Sequence, residues 1–487
     1  MDTMRIPETG NDRAAILETM KQYSQEDADW RGGRTWSLVY SLGEEHTQFL
    51  KEAHGMFFSE NALNPLAFKS LKRFESEVVR MAADMLHGDN KVVGVMTSGG
   101  TESCLLAVKT YRDRARAKRP WLRSPEMIVP ESIHVAFEKG AQYFGVKPVH
   151  VPVDADCRVS SDEVRKRINR NTVLIVGSAP SYPFGVIDPI EELGAVAEQA
   201  KVPLHVDGCL GGFMLPFVER LGHPVPAFDF RVPGVTSMTA DVHKYGYSAK
   251  GASVILYRNM DYLKHQFFAY TEWPGGIFIS PALLGTRSGG PIAAAWAAIQ
   301  ALGVDGYSEQ ARVVMEATKR LTEGIAAIDG LTILGAPQMS VFAYASEDPA
   351  LNIYVVGDLM EKRGWHVDRL QKPEALHAMV TPGHLETADA FLADLRDAVA
   401  EARAHPELAE KGNAAMYGIM ADLPLRGMIK KNVLKIMEQM YGPDGVMPDF
   451  DPAAPDTDDA AAPPPKQDVS IKLAGLLVKI KRWLSSR

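Results

Sequence analysis

Residues 239–251 read Thr239-Ala240-Asp241-Val242-His243-Lys244-Tyr245-Gly246-Tyr247-Ser248-Ala249-Lys250-Gly251. An apolar strand pattern over 235–239 precedes them, and a second one comes after them at 252–256. Lys244 thus stands in a loop of small residues just beyond a strand. Such a lysine can be held in a partly dry cleft. Burial there disfavours the ammonium and leaves some neutral amine able to attack an aldehyde. The plainer reading is a solvated turn lysine, and these thirteen residues do not decide between the two.

Working outward, short apolar runs alternate with helical periodicity over residues 60–300. Strands are expected at 92–96, 127–129, 148–151, 172–177 and 203–206, besides the two above. Helices are expected at 102–116, 135–144 and 190–199, and Ser160 with Glu163 has the form of a capping box before another. Strands alternating with helices imply a mainly parallel α/β sheet covered on both faces. Ligands of such sheets sit beyond the carboxyl ends of the strands.

Four strand ends carry candidate chemistry. Ser98-Gly99-Gly100-Thr101 joins a strand to a helix, where small residues and free amides suit a phosphate. Asp207 closes a buried strand and calls for a positive partner. A protonated pyridine nitrogen is such a partner. His134 comes after another strand and could stack on a ring, although a lone histidine is more often structural. Tyr182 is either an acid/base hydroxyl or a turn aromatic. Together, a phosphate cradle, a ring, a carboxylate and a lysine occur in an order that suits pyridoxal phosphate. The histidines lack metal-ligand spacing and the cysteines are scattered, so no metal is expected. No nucleophile elbow of the Gly-x-Ser-x-Gly type occurs.

The chain has 487 residues, a formal charge of -8 and three cysteines, Cys104, Cys157 and Cys209. The acidic balance argues against nucleic acid, and the odd cysteine count against a disulfide framework. The polar start shows no signal-peptide pattern and no apolar run reaches membrane-spanning length, so a cytoplasmic body is expected. The organisation reads as an N-terminal arm (1–60, with a helix near 44–56), a large domain (61–310) and a small α+β domain (311–441). The small domain should open on a helix at 311–328, with strands at 331–334 and 340–344 and helices at 353–363 and 387–405. An acidic Pro/Ala-rich linker (442–466) and a basic amphipathic helix (467–487) complete the chain. Val469, Leu473, Leu476, Leu477, Ile480 and Leu484 share one face of that helix. It could lie on a membrane surface, dock in a partner or pack on its own body.

The chain resembles the pyridoxal-phosphate-dependent sphingosine-1-phosphate lyases, within the group II decarboxylase branch of fold type I. The matching stretches are 97–103, 184–189 (FGVIDP), 205–213 (HVDGCLGGF), 234–251 and 273–290 (WPGGIFISPALLGTRSGG). The resemblance implies a seven-stranded sheet and a homodimer with shared sites. It implies Lys244 as the Schiff-base lysine, Asp207 on the pyridine nitrogen and His134 on the ring. It places Gly99, Gly100, Thr101 and His243 at the cofactor phosphate, with Thr286 reaching it from the other subunit. Tyr182, Cys209 and Lys250 would line the cleft, and Lys250 or Tyr182 would move protons. Tyr40, Asn61 and Lys250 would lie near the substrate phosphate. The implied reaction splits the C2–C3 bond of a phosphorylated long-chain amino alcohol into a fatty aldehyde and phosphoethanolamine.

The chain departs from that pattern at Asn64, where the family has histidine, and at Trp36-Ser37-Leu38, Phe184 and Ser288. These changes are expected to alter the substrate mouth, with Trp36 in it, and to weaken phosphate binding. Two other functions stay open at this level. One is amino-acid decarboxylation on the same fold. The other is a tail-tethered membrane or partner-binding protein with residual catalysis.

Overall fold

A computed structural model describes residues 5–410, 412–414, 417 and 426–443. The acidic linker from residue 444 and the basic amphipathic segment lie outside the described residues.

Seven strands form one sheet: β1 (Val93–Thr97), β2 (Glu126–Pro130), β3 (Lys147–Val151), β4 (Thr172–Ser178), β5 (Leu204–Asp207), β6 (Val235–Ala240) and β7 (Ser253–Tyr257). Their order is β1-β7-β6-β5-β4-β2-β3. Only β7 runs antiparallel to its neighbours β1 and β6. The strands match the expected runs to within a residue or two at their ends. The reason is composition: β4 is Thr-Val-Leu-Ile-Val-Gly-Ser, buried throughout, as a strand covered on both faces should be. Each fully buried Val, Leu or Ile of this kind contributes about 1.5–3 kcal/mol.

Helices Gly100–Lys118, Ala136–Phe144 and Ile190–Ala200 stand at the expected places. Ser160 caps its helix by accepting from the Glu163 amide. The helix expected at 311–328 is the second half of a longer one, Gly289–Ala326, broken at Gly303, whose φ is 57°. Glycine alone adopts that angle without cost.

Among the described residues, two of the uncovered apolar surfaces are the arm helix and a hairpin. The arm helix Arg13–Tyr23 buries none of its residues and exposes Leu17, Met20 and Tyr23. The hairpin of β8 (Phe268–Trp273) and β9 (Gly276–Ser280) exposes Phe268, Trp273, Ile277 and Ile279. Among the described residues no helix is long and apolar enough to cross a membrane.

A second, antiparallel sheet is built from β10 (Leu331–Ile333), β11 (Val341–Ser346), β12 (Asp368–Gln371) and β13 (Glu374–Met379), in the order β10-β11-β13-β12. The last two strands depart from the sequence expectation, because their polar ends hide the alternation. Gly185 ties this sheet to the first. It has φ +68°, and a Cβ there would lie 1.7 Å from the Val341 carbonyl oxygen. Phe184 is buried beside it against Ala343 and Val186. The Phe184 departure is thus a packing feature and does not alter a substrate mouth.

Trp36 requires the same correction. It is buried, stacked on His384 with ring centroids 4.2 Å apart and edge-on to Phe391 at 4.5 Å. An indole is worth more in a core than at a wet rim, and it is not at the mouth.

Candidate active site

The carboxyl ends of β1, β2, β4, β5 and β6 surround a cavity of about 350 Å³. Gly99, Gly100, Thr101, His134, Tyr182, Asp207, Cys209, His243 and Lys244 all line it. Nine candidate residues, scattered over 146 positions of sequence from Gly99 to Lys244, therefore meet at one place. The sheet does this by ending its parallel strands on one edge.

The turn after β1 is held from both sides. Glu102 accepts from the Ser98 amide and hydroxyl, each at 2.7 Å, and from the Leu283 amide at 2.9 Å. The carboxylate thus closes the turn and pins the loop at 283. The first amides of the helix have no carbonyl of their own helix to bind. A Cβ on Gly100 would come within 2.6 Å of Asp241 and 2.9 Å of Cys209, so no other residue leaves this space open. Open volume, free amides and a helix N-terminus fit a phosphate group.

Asp207 uses one oxygen, Oδ1, to accept from the Cys209 amide at 3.0 Å and the Thr239 hydroxyl at 3.1 Å. These bonds fix the carboxylate while it still lines the cavity. His134 accepts at Nδ1 from the Ala136 amide at 3.2 Å, and burial lowers its pKa. Its ring is therefore neutral and suited to face another ring. His243 accepts at Nδ1 from the Ala252 amide, and its Cε1 would sit 3.4 Å from a Cβ on Gly99. It is thereby held against the phosphate turn. His205 lies in the core and binds Ser237.

Lys244 Nζ lies 3.0 Å from the Asp241 carboxylate, whose side chain is 1% exposed. Burial is the largest single influence on Lys244 and lowers its pKa, but the charge of Asp241 leads the opposing influences. The net effect holds the ammonium well above the usual lysine range. This corrects the expectation of a neutral amine: in this chain the carboxylate outweighs the dryness. Sequence reasoning missed Asp241, although the signal was present. It comes directly after a buried strand just as Asp207 closes one, three residues before the lysine.

Lys250 and Tyr40 line an adjoining, mostly apolar cavity of about 360 Å³ that also receives Trp30, Leu50, Lys51 and His54. Lys250 Nζ sits 5.0 Å from the centre of the Tyr40 ring. It faces solvent on one side and crowded atoms on the other. Desolvation, then the charge of Lys244, lower its pKa to about 8. Its position results from β7 being antiparallel, since the start of that strand returns the chain to the active edge.

A second missed residue is His377 on β13. Its ring stacks on Tyr182 with centroids 4.6 Å apart, and its Nε2 bonds the Tyr182 carbonyl at 2.8 Å. No local pattern could reveal it, because β13 belongs to the other sheet.

Asn61, Asn64 and Thr286 do not line the Lys244 cavity of their own chain. Asn61 Nδ2 donates to the Thr286 hydroxyl at 3.2 Å. Asn64 caps the turn after it by accepting from the Leu66 and Ala67 amides. Glu75 and Arg287 form a buried ion pair at 2.8 Å that anchors the Thr286 loop.

A phosphate turn, a strand-end carboxylate and a buried lysine around one cavity define an enzyme that works with pyridoxal phosphate. In agreement, residues 68–345 match the family model described as the pyridoxal-dependent decarboxylase conserved domain. A sphingosine-1-phosphate lyase of Arabidopsis thaliana is 46% identical over 434 residues, covering 88% of this chain and 79% of that protein. The rat enzyme of that name is 40% identical over 444 residues, covering 91% and 78%. A solved sphingosine-1-phosphate lyase from Burkholderia pseudomallei superposes with a TM-score of 0.81 at 41% identity, over 89% of this chain and 97% of that one. The chain belongs to the sphingosine-1-phosphate lyase family.

Proposed function

We propose that this enzyme cleaves the C2–C3 bond of a phosphorylated sphingoid base, or a close amino alcohol phosphate, to a fatty aldehyde and phosphoethanolamine. The observation that carries this reading is the pair of adjoining cavities. One is lined by Asp207, Asp241, His134, His243 and Lys244 and suits the cofactor, while the other is mostly apolar with Lys250, Lys51 and His54 on its wall. An amphiphile with an anionic head fits that second space better than a free amino acid does.

Lys244 would hold the cofactor, the Gly99-Gly100-Thr101 turn and His243 its phosphate, Asp207 its ring nitrogen and His134 its face. When bound, pyridoxal phosphate supplies an electron sink for the pair left when the bond breaks. Asp207 would keep the ring nitrogen protonated with the cofactor in place. Tyr182, whose phenol is pushed up to about 12 chiefly by burial, stays protonated at neutral pH and hydrogen-bonds the substrate oxygen at C3. Lys250, in its charged form, binds the substrate phosphate beside Tyr40. The test is to incubate the purified protein with sphingosine-1-phosphate and with amino acids, and to assay aldehyde and carbon dioxide. Carbon dioxide without aldehyde would make it a decarboxylase.

Lys250→Met should raise KM for the phosphorylated substrate about 10–100-fold at neutral pH, the worth of one hydrogen bond to a charged group. In the unaltered enzyme KM should stay level below about pH 8 and climb above it, as Lys250 loses its proton. The variant should lack that climb. A KM that instead falls above pH 8 would make Lys250 a base.

A homodimer is part of the same proposal. The exposed arm helix and β8–β9 hairpin are apolar surfaces of the kind a second copy covers, and Thr286 stands outside its own cavity just after the hairpin. Light scattering should give twice the chain mass, and Ile277→Glu should give monomers with little activity. A fully active monomer would exclude shared sites.

A further inference from the structure

The fold brings together two thiols that the sequence keeps apart. Cys104 lies one turn into the helix Gly100–Lys118, and Cys209 stands just after β5. Their sulfurs and a carboxylate oxygen of Asp207 all lie within 4.8 Å of one another. All three residues are buried, and both thiols are free. Two thiolates on one zinc ion, each at about 2.3 Å, stand about 3.8 Å apart in a tetrahedral arrangement. The spacing needs little adjustment to reach that.

The donor set is soft, and such sets select zinc or cadmium over magnesium or calcium. Asp207 has committed Oδ1 to the Cys209 amide and the Thr239 hydroxyl, so its second oxygen is the one to offer. Asp207 and Cys209 also face the open cavity, which supplies an entry path and a place for a water ligand. Without an ion the thiols keep their protons. Cys209 is pushed up by its hydrogen bond with Cys104, by burial and by the nearby carboxylates. An ion would replace two thiol protons, which pass to solvent, so the net charge of the three groups with the ion would not change and the carboxylate would gain a cation beside it.

We propose that Cys104, Cys209 and Asp207 form a binding site for a soft divalent ion, and that this ion and the cofactor exclude one another. The exclusion rests on the reading of Asp207 as the partner of the ring nitrogen. One carboxylate oxygen cannot ligate a metal and bind that nitrogen together.

The test uses the full-length protein, loaded with pyridoxal phosphate and freed of it. Cadmium is titrated into each and tracked by thiolate charge-transfer absorbance and metal analysis. The expected result is one cadmium per chain in the freed protein and at least about tenfold weaker binding in the loaded one. Prior cadmium should block return of the cofactor's visible absorbance. Cys104→Ala and Cys104→Ser should each weaken cadmium binding at least about 100-fold, because even a group that merely orients a ligand is worth 10–100-fold. Circular dichroism and cofactor uptake of the two variants report that they fold. Equal cadmium affinity in the variants, or equal affinity in loaded and freed protein, overturns the proposal. If the freed protein fails to regain pyridoxal phosphate in the absence of cadmium, the assignment of the cofactor site fails, while the cadmium titration still judges the metal site.

Discussion

Replacing Lys244 by alanine should lower turnover on the order of 10⁴-fold or more, the scale seen when a group carrying a covalent step is removed. The purified variant should also fail to keep its cofactor covalently. After borohydride reduction and denaturation, mass spectrometry of the unaltered chain should show the added mass of the cofactor, and that of the variant should not. A variant that retains the mass would mean that another amine holds the group. The same change should weaken the cofactor-free fold. Asp241 is buried, and Lys244 is its ion-pair partner at 3.0 Å. Removing one member of such a pair costs about 3–5 kcal/mol, because the other charge is left in a dry place. The dependence on pH has a definite sign. Burial, the largest influence on Asp241, raises its pKa, but Lys244 and His243 bring the net value below the usual carboxylate range. The pair therefore stabilises the fold fully above the unfolded aspartate value of about 3.9, and the contribution fades as pH falls through the depressed folded value. Thermal denaturation of cofactor-free protein across pH should show the gap between the unaltered chain and Lys244→Ala closing in acid.

Tyr182→Phe should lower kcat about 10²–10⁴-fold while leaving KM within a few-fold. The phenol lines the cofactor cavity and not the apolar one, so it meets the reacting oxygen and not the substrate's head or tail. An interaction made chiefly as charge develops on that oxygen is lost from kcat alone. Because the phenol stays protonated to about pH 12, the loss should be the same across the neutral range. A variant whose KM rises while kcat holds would make Tyr182 a binding residue instead. The stacked His377 fixes the ring from behind, and its 2.8 Å bond to the Tyr182 carbonyl fixes the backbone. The tyrosine is thus positioned by the second sheet, although it belongs to a loop of the first.

The seven strands, their helices and the residues at the strand ends are legible in the sequence. Each strand is a short run of β-branched and apolar residues bounded by turns, so local composition is enough to mark it. A parallel sheet then obliges the segments at its carboxyl ends to share one edge. Gly99, Asp207 and Lys244 can accordingly be assigned to one cavity from the sequence alone. The loop from 239 to 251 is likewise legible as a strand-end segment carrying the lysine.

Features that only the tertiary structure decided depend on neighbours distant in the chain. The protonation of Lys244 is set by Asp241 against burial, and their balance is a matter of ångströms. Trp36 and Phe184 read in sequence as changes at the substrate mouth and are core residues, because burial of an aromatic is decided by what packs on it. His377 reaches Tyr182 only because Gly185 lets the second sheet approach closely. Cys104 and Cys209 are scattered in sequence and adjacent in space. Local pattern determines which elements form and where they end. Charge balance, packing and ligand sets depend on contacts between elements, and those are settled only when the elements meet.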